Sequence, residues 1–280
     1  MDLIRRHHPS DLPNSAKAFS LVELSIVLVI LGLLVGGVLS GQSLIRAAEL
    51  RSVTTEIQRI QTALRTFQDK YQAIPGDMPN AVRFWGAQIG ATTDGVDATC
   101  SALTDAAPAT GVATCNGNGN GQIGQYFSPP VGVAHESFRL WQHLANAGLI
   151  EGNYTGVSGG ASNNFTAVPG LNIMRGKLSK LGYYIAQLGT CTACSGGIFD
   201  GNYGNIMIVG AQLANTVPLT PLFKPEEVWN IDTKIDDGRP GYGIMTAYKP
   251  TTCTTSTTAS ASEYLLTATG NTCLFFIGNM

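Results

Sequence analysis

Residues 17–45 read KAFSLVELSIVLVILGLLVGGVLSGQSLI, and this stretch decides the architecture. Between Glu23 and Arg46 there is no charged side chain. An apolar run of about 20 residues is long enough to cross a bilayer core as a helix. The segment before it is polar: residues 1–18, MDLIRRHHPSDLPNSAKA, carry Arg5, Arg6, Lys17 and two prolines. Its basic residues assign this side to the cytoplasm, against a weaker pull from Arg46 and Arg51 beyond the run. A secretory signal is cut after its apolar region, and no A-x-A site with a clear mature start follows here. The break in composition comes earlier, between Ala18 and Phe19. One acid, Glu23, lies inside the run, and a carboxylate in hydrocarbon is costly enough to mark a functional residue by default.

The helical pattern continues past the span. Leu50, Val53, Ile57, Ile60, Leu64, Phe67 and Tyr71 alternate spacings of three and four, the stripe of an amphipathic helix. Arg51, Glu56, Arg59, Arg65 and Asp69 fall between them and suit a solvated face. The stripe reads as a seam against the protein's own head, and Pro75-Gly76 ends it. A helix from Phe19 to Tyr71 would be about 80 Å long. Gly32, Gly36 and Ser40, like Gly37 and Gly41, recur every four residues. This spacing allows close helix contact and weakens a helix by up to ~1 kcal/mol per glycine. Ordinary membrane-helix glycine and a packing role both fit.

The stretch Lys17-Ala18-Phe19-Ser20-Leu21-Val22-Glu23-Leu24 resembles the cleavage and methylation motif of type IV prepilins and pseudopilins. The resemblance implies that a prepilin peptidase cuts between Ala18 and Phe19 and N-methylates Phe19. It implies that Glu23, then the fifth mature residue, neutralises the Phe19 amine of a neighbouring subunit during assembly. Both charges are costly in lipid, and each offsets the other. The family usually has Gly before the cut, where this chain has Ala18, a departure that would slow cleavage. The resemblance further implies a leader at 1–18, a long helix at 19–72 whose 19–45 part spans the membrane and drives assembly, and an extracytoplasmic head at 73–280. The implied partners are the prepilin peptidase, other pilin or pseudopilin subunits, an inner-membrane assembly platform and membrane lipid. The implied location is the bacterial inner membrane as a single-pass precursor. The head would then stand in the periplasm or at the cell surface as part of a pilus or pseudopilus.

After Pro75 the composition shifts to Gly, Asn, Thr and Ala. Residues 86–134 read as a long decorated loop region, 152–172 as Gly/Ser/Asn-rich loop, and the low-complexity 251–262 as surface loop. Residues 135–147 and 225–235 read as short amphipathic helices. Strand candidates are 182–188, 205–211, 243–248 and 273–277. The expected fold class is α+β: a long N-terminal helix packed on an antiparallel sheet with loop-rich insertions. Only 13% of the 280 residues are charged and the formal net charge is −2, which gives no global attraction to nucleic acid. Any such role would need a local patch, and the head offers Arg175, Lys177 and Lys180. Six cysteines follow the span, which fits an oxidising compartment. The most local pairing joins Cys100 to Cys115, Cys191 to Cys194, and Cys253 to Cys273, one of 15 connectivities.

Several patterns invite chemistry. Cys191-Thr-Ala-Cys194 is a C-x-x-C, but no helix start follows to activate a thiol, so it reads as a structural disulfide loop. Gly156-Val-Ser158-Gly-Gly160 matches G-x-S-x-G without the strand and helix a nucleophile elbow needs, and no histidine follows it. His135 and His143 lack a second ligand at helical spacing. Asn116, Asn118 and Asn120 resemble the front of a calcium loop, with neutral amides in place of acids and Phe127 at the twelfth position. Asp232, Asp236 and Asp237 are a second calcium candidate; no other cofactor is suggested. No convergent nucleophile, base and acid emerges, so the expected role is structural rather than enzymatic. The resemblance leaves three forms of that role: a pilus subunit, a type II secretion pseudopilin, and a minor pilin or tip adhesin. The size of the head favours a minor position.

Overall fold

A computed structural model describes residues 20–88, 111–124, 136–158, 166–192, 197–248 and 250–280. Ala18, Phe19, Cys100, Phe127, His135, Gly159, Gly160 and Cys194 therefore lie outside the described residues. The chain divides into two compact units, Met1–Ala48 and Glu49–Met280. A single helix, α1 (Leu21–Tyr71), enters both.

In the first unit the described helix is apolar and exposed: Leu21 is 88% accessible and Leu33 73%. Its most apolar window has a mean hydropathy of 2.6, and none of that window is buried within the chain. Such a surface needs lipid or other chains around it.

In the second unit the stripe does what its spacing predicts. Val53, Ile57, Ile60, Leu64 and Phe67 are buried, Ala63 joins them, and Leu50 and Tyr71 pack at the margins. Gln72, in the left-handed region at φ 51°, ends the helix. One expectation on this helix fails: Glu56, read as solvated, is 3% exposed. Its carboxylate accepts the Lys177 N–H at 3.0 and 3.3 Å and the Tyr183 hydroxyl at 2.7 Å. A buried carboxylate is tolerable because these donors replace its water.

The seam faces a five-stranded sheet formed by β1 (Met174–Arg175), β2 (Leu181–Gln187), β5 (Asn205–Ala211), β6 (Met245–Tyr248) and β7 (Leu274–Ile277). Its order is β1-β2-β5-β7-β6, antiparallel throughout. β3 (Thr190–Cys191) and β4 (Gly201–Asn202) form a separate two-stranded ribbon. The central strands are rich in Ile, Val, Tyr and Met and almost wholly buried. Adjacent strand residues point to opposite faces. Tyr183 reaches α1 through Glu56, while Tyr184 meets Phe138 of α3 (Glu136–Asn146) edge-on at 5.8 Å. Both faces of β2 are thus covered, which is why it is buried along its length. The short helix α2 (Val82–Trp85) follows α1, and α4 (Pro225–Ile235) has the bounds its Pro and two acids signal.

Within 86–134 the described residues 111–124 are loop, as read, although Thr114, Cys115, Asn116 and Ile123 are buried. One loop expectation is corrected: within the segment 251–262, read as a surface loop, Cys253, Thr254 and Ser262 are buried, α5 (Pro250–Cys253) ends there and a 3₁₀ turn (Ala259–Ala261) follows. The Cys253–Cys273 disulfide, Cα–Cα 5.0 Å, pins this segment beside the start of β7. Small Thr, Ser and Ala residues have no periodicity to announce such packing. Cys115 and Cys191 are disulfide-bonded as well, and no described cysteine is free.

Candidate functional site

The N-terminus of α1 is built by a local device. The Ser20 hydroxyl accepts the Val22 N–H at 3.3 Å, and Glu23 Oε2 accepts the Ser20 N–H at 3.0 Å. The Glu23 bond is the side-chain half of a capping box and the hydroxyl caps the second amide, so the first helical turn's open amides gain acceptors. Ser25 and Ser43 return their hydroxyls to the carbonyls of Val22 and Ser40, so these polar groups are satisfied within the helix. Glu23 is thus held at the start of the apolar run, four residues after Phe19. Its Oε2 is engaged with the backbone of its own chain.

In the head, Asn116, Asn118 and Asn120 come to a different use from the one their spacing suggested. The Asp77 carboxylate, just after the Pro75-Gly76 break, accepts N–H groups from Gly119 at 2.6 Å, Asn120 at 3.2 Å and Gly121 at 2.7 Å. Glu136, the first residue of α3, accepts those of Asn118 at 3.1 Å and Gly124 at 2.9 Å. The side-chain oxygens of Asn118, Asn120 and Asn116 accept from Asn120, Gln122 and Val82. Amide hydrogens converge here on two carboxylates, the inverse of the oxygen cage a calcium ion requires. The Oδ1 atoms of Asn116, Asn118 and Asn120 are each engaged by a backbone amide. Gly117 is required because a Cβ there would overlap the Asp77 backbone. Burial, opposed by the Gly124 and Asn118 amides, raises the Glu136 pKa, with a smaller rise from the Asp77 charge.

His143 closes the same corner of the head. Its Nδ1 accepts the Gly76 N–H at 2.9 Å, which leaves Nε2 as the protonated nitrogen, 3.0 Å from the Thr114 hydroxyl. Its ring stacks on Trp85 and Phe67. Burial, then the Arg139 charge, pushes the imidazole down to about 3, so it remains neutral and acts as a strut.

The acidic turn does gather. One oxygen from each of Asp232, Asp236 and Asp237 lies within 4.8 Å of the others. Asp236 Oδ2 accepts the N–H groups of Ile244 and of Met245, and Asp237 Oδ1 that of Arg239 at 2.8 Å. Asp232 is buried: Oδ2 accepts the Tyr264 hydroxyl at 2.7 Å and Oδ1 has no hydrogen-bond partner. Burial raises its pKa to about 7, the neighbouring charges of Asp237 and Asp236 add to the rise, and hydrogen bonds from Tyr264 and the Gly238 amide oppose it. A carboxyl group raised on folding stabilises the fold below its unfolded pKa and loses that contribution as pH rises through the folded value. The thermal midpoint of the head should therefore fall between about pH 4 and 7, and Asp232→Asn should flatten that part of the profile. An unchanged slope in calorimetry of the variant would refute the assignment.

The remaining patterns stay structural. Cys191 sits on the β3–β4 ribbon, and Gly156 lies against Gln142 of α3 with no strand or helix at Ser158.

Residues 13–39 match the prokaryotic N-terminal methylation motif, the signature of type IV prepilins and pseudopilins. The match contains the leader junction, Phe19, Glu23 and most of the apolar run. It implies processing by a prepilin peptidase and assembly with other pilin-like subunits, and it fits an inner-membrane-anchored precursor. No curated protein and no solved structure matches the chain.

Proposed function

We propose that this chain is a structural subunit of a type IV pilus or a related filament, cut before Phe19 and polymerised through the first half of α1. The observation that carries this is a coincidence at one place. The methylation motif, a capped helix start and an exposed apolar run with a single acid all meet at residues 13–39. Among the described residues of its own unit nothing covers the run, and identical runs from other subunits would cover it. Glu23 would give its carboxylate to the Phe19 amine of the adjacent subunit, relieving two charges that lipid disfavours. The head would be displayed outside the membrane, with its disulfides suited to an oxidising compartment. The head is extensive, from Glu49 to Met280, which favours a minor or tip position over the repeating shaft. The same stem would serve a type II secretion pseudopilin.

The acidic turn remains the calcium candidate under this reading, since Asp232 Oδ1 and the two neighbouring carboxylates form an oxygen set of the right kind. Added calcium would displace the Asp232 proton and flatten the pH profile described above.

Mass spectrometry of the membrane-extracted protein tests the central claim. The expected mature chain begins at N-methylated Phe19. Retained Met1, or a cut near Ser40 after the apolar run, would refute it.

A further inference from the structure

Residues 151–155, in the loop that follows α3, read EGNYT. Asn153 and Thr155 form N-x-T, the acceptor pattern for N-linked glycans on exported proteins. An acid, Glu151, stands two residues before the asparagine. The chain has one other N-x-[ST], Asn164-Phe165-Thr166, with Ser162 in the place of the acid and Asn164 outside the described residues. Glu151, Gly152 and Asn153 are exposed, Tyr154 is buried and Thr155 is half-buried. Gly152, at φ 109°, makes the bend between the acid and the asparagine. Among the described residues no hydrogen bond engages the Glu151 carboxylate or the Asn153 amide group. Tyr154 anchors the turn: its hydroxyl donates to the Glu151 carbonyl at 3.2 Å, and its ring packs 6.4 Å from that of Trp141. The Thr155 N–H donates to the Leu171 carbonyl at 3.0 Å, and its hydroxyl to the Val157 carbonyl at 3.3 Å.

We propose that Asn153 is the acceptor for an N-linked oligosaccharide, added by a membrane-bound oligosaccharyltransferase that requires an acid two residues before the asparagine. The proposal rests on the extracytoplasmic placement of the head given above. The donor is an oligosaccharide carried on a polyprenyl diphosphate. Asn153 Nδ2 bonds to C1 of the first sugar, and the bond from C1 to the diphosphate oxygen breaks. The lipid diphosphate leaves with that electron pair, and one Nδ2 proton passes to a carboxylate of the transferase. The Thr155 hydroxyl and the Glu151 carboxylate are the two marks that the enzyme reads. In the finished head the Thr155 hydroxyl is already bonded to Val157, so transfer precedes the docking of Tyr154 and Thr155. Once they dock, the fold leaves Asn153 in solvent, where a glycan displaces no packed side chain.

The test co-expresses the full chain in a bacterial host with an acid-requiring oligosaccharyltransferase and its lipid-linked oligosaccharide, and maps glycopeptides by mass spectrometry. An exported control protein confirms that the transferase is active, and a second acceptor sequence appended after Met280 reports whether the head reaches it. Glycan is expected at Asn153, with none in Asn153→Gln, retention in Thr155→Ser and loss in Thr155→Ala. Glu151→Gln should lower occupancy about tenfold, the effect of losing one hydrogen bond to a charged group. A bare Asn153 beside a modified C-terminal acceptor would overturn the proposal and leave the extracytoplasmic reading standing. If both acceptors stay bare, the placement of the head fails and the proposal falls with it. Full occupancy in both Glu151→Gln and Thr155→Ala would overturn the recognition assigned to those two residues.

Discussion

Glu23→Ala is expected to leave membrane insertion, peptidase cutting and head folding intact and to lower incorporation into filaments by roughly tenfold or more. The size follows from an uncompensated charge in lipid, which costs several kcal/mol. In the variant it is the Phe19 amine of the neighbour that would lose its partner. The capping box separates two ways the residue can act. Glutamine at this position still caps the Ser20 amide, because Glu and Gln serve equally in the box. It cannot neutralise an amine. Glu23→Gln should therefore assemble as poorly as Glu23→Ala if charge is the operative property, whereas near-normal assembly of the Gln variant would point to the cap alone. Sheared or cross-linked filament fractions, compared after processing has been confirmed, provide the measurement. Wild-type assembly by Glu23→Ala would remove the assigned role and leave only the anchor.

The largest expected effect on the head lies at Asp77. Its carboxylate accepts three backbone amides of the loop 119–121, and the residue is 3% exposed. Asp77→Ala leaves those donors without their acceptor in a packed corner, at a cost of about 3–5 kcal/mol. That corresponds to a fall of about 10 °C in thermal midpoint for a unit of this size. Asp77→Asn keeps one acceptor oxygen and should lose less. Gly117→Ala should resemble Asp77→Ala, since it drives a methyl group into the Asp77 backbone from the other side of the same contact. The His143 strut and the Gly76 amide it accepts belong to the same corner, so these losses should be coupled rather than additive. A midpoint within about 2 °C of wild type for Asp77→Ala, a difference of at most ~1 kcal/mol, would show that the loop is held by something else.

The two classes of residue differ in how far away their partners are. The capping box spans Ser20 to Glu23, and the seam from Leu50 to Tyr71 depends only on 3.6-residue periodicity. Both are readable because the interaction and the signal lie within one or two helical turns. Glu56 belongs to that same helix, yet its neighbours in sequence misplace it, because its partners Lys177 and Tyr183 are 121 and 127 residues away. The asparagine run 116–120 likewise depends on distant partners: the carboxylates that shape its backbone, Asp77 and Glu136, arrive from the segment after α1 and the start of α3.

The sequence by itself determined the stem: an uncharged run with one acid, a composition break before it and an unbroken apolar stripe. These are properties of a single helix and its solvent, so local chemistry suffices. It also placed the central strands to within a residue or two, because β-branched and aromatic runs bounded by glycine carry their own signal. Only the tertiary structure decided what the polar residues of the head do. Whether a carboxylate is solvated, as Glu56 was expected to be, or buried under two donors depends on the chains folded over it. The same holds for Asp232, whose raised pKa comes from burial and from two acids that the turn after α4 brings back toward it. Charge and hydrogen-bonding capacity are written in the residue, but the dielectric and the partners that set their energy are supplied by distant segments.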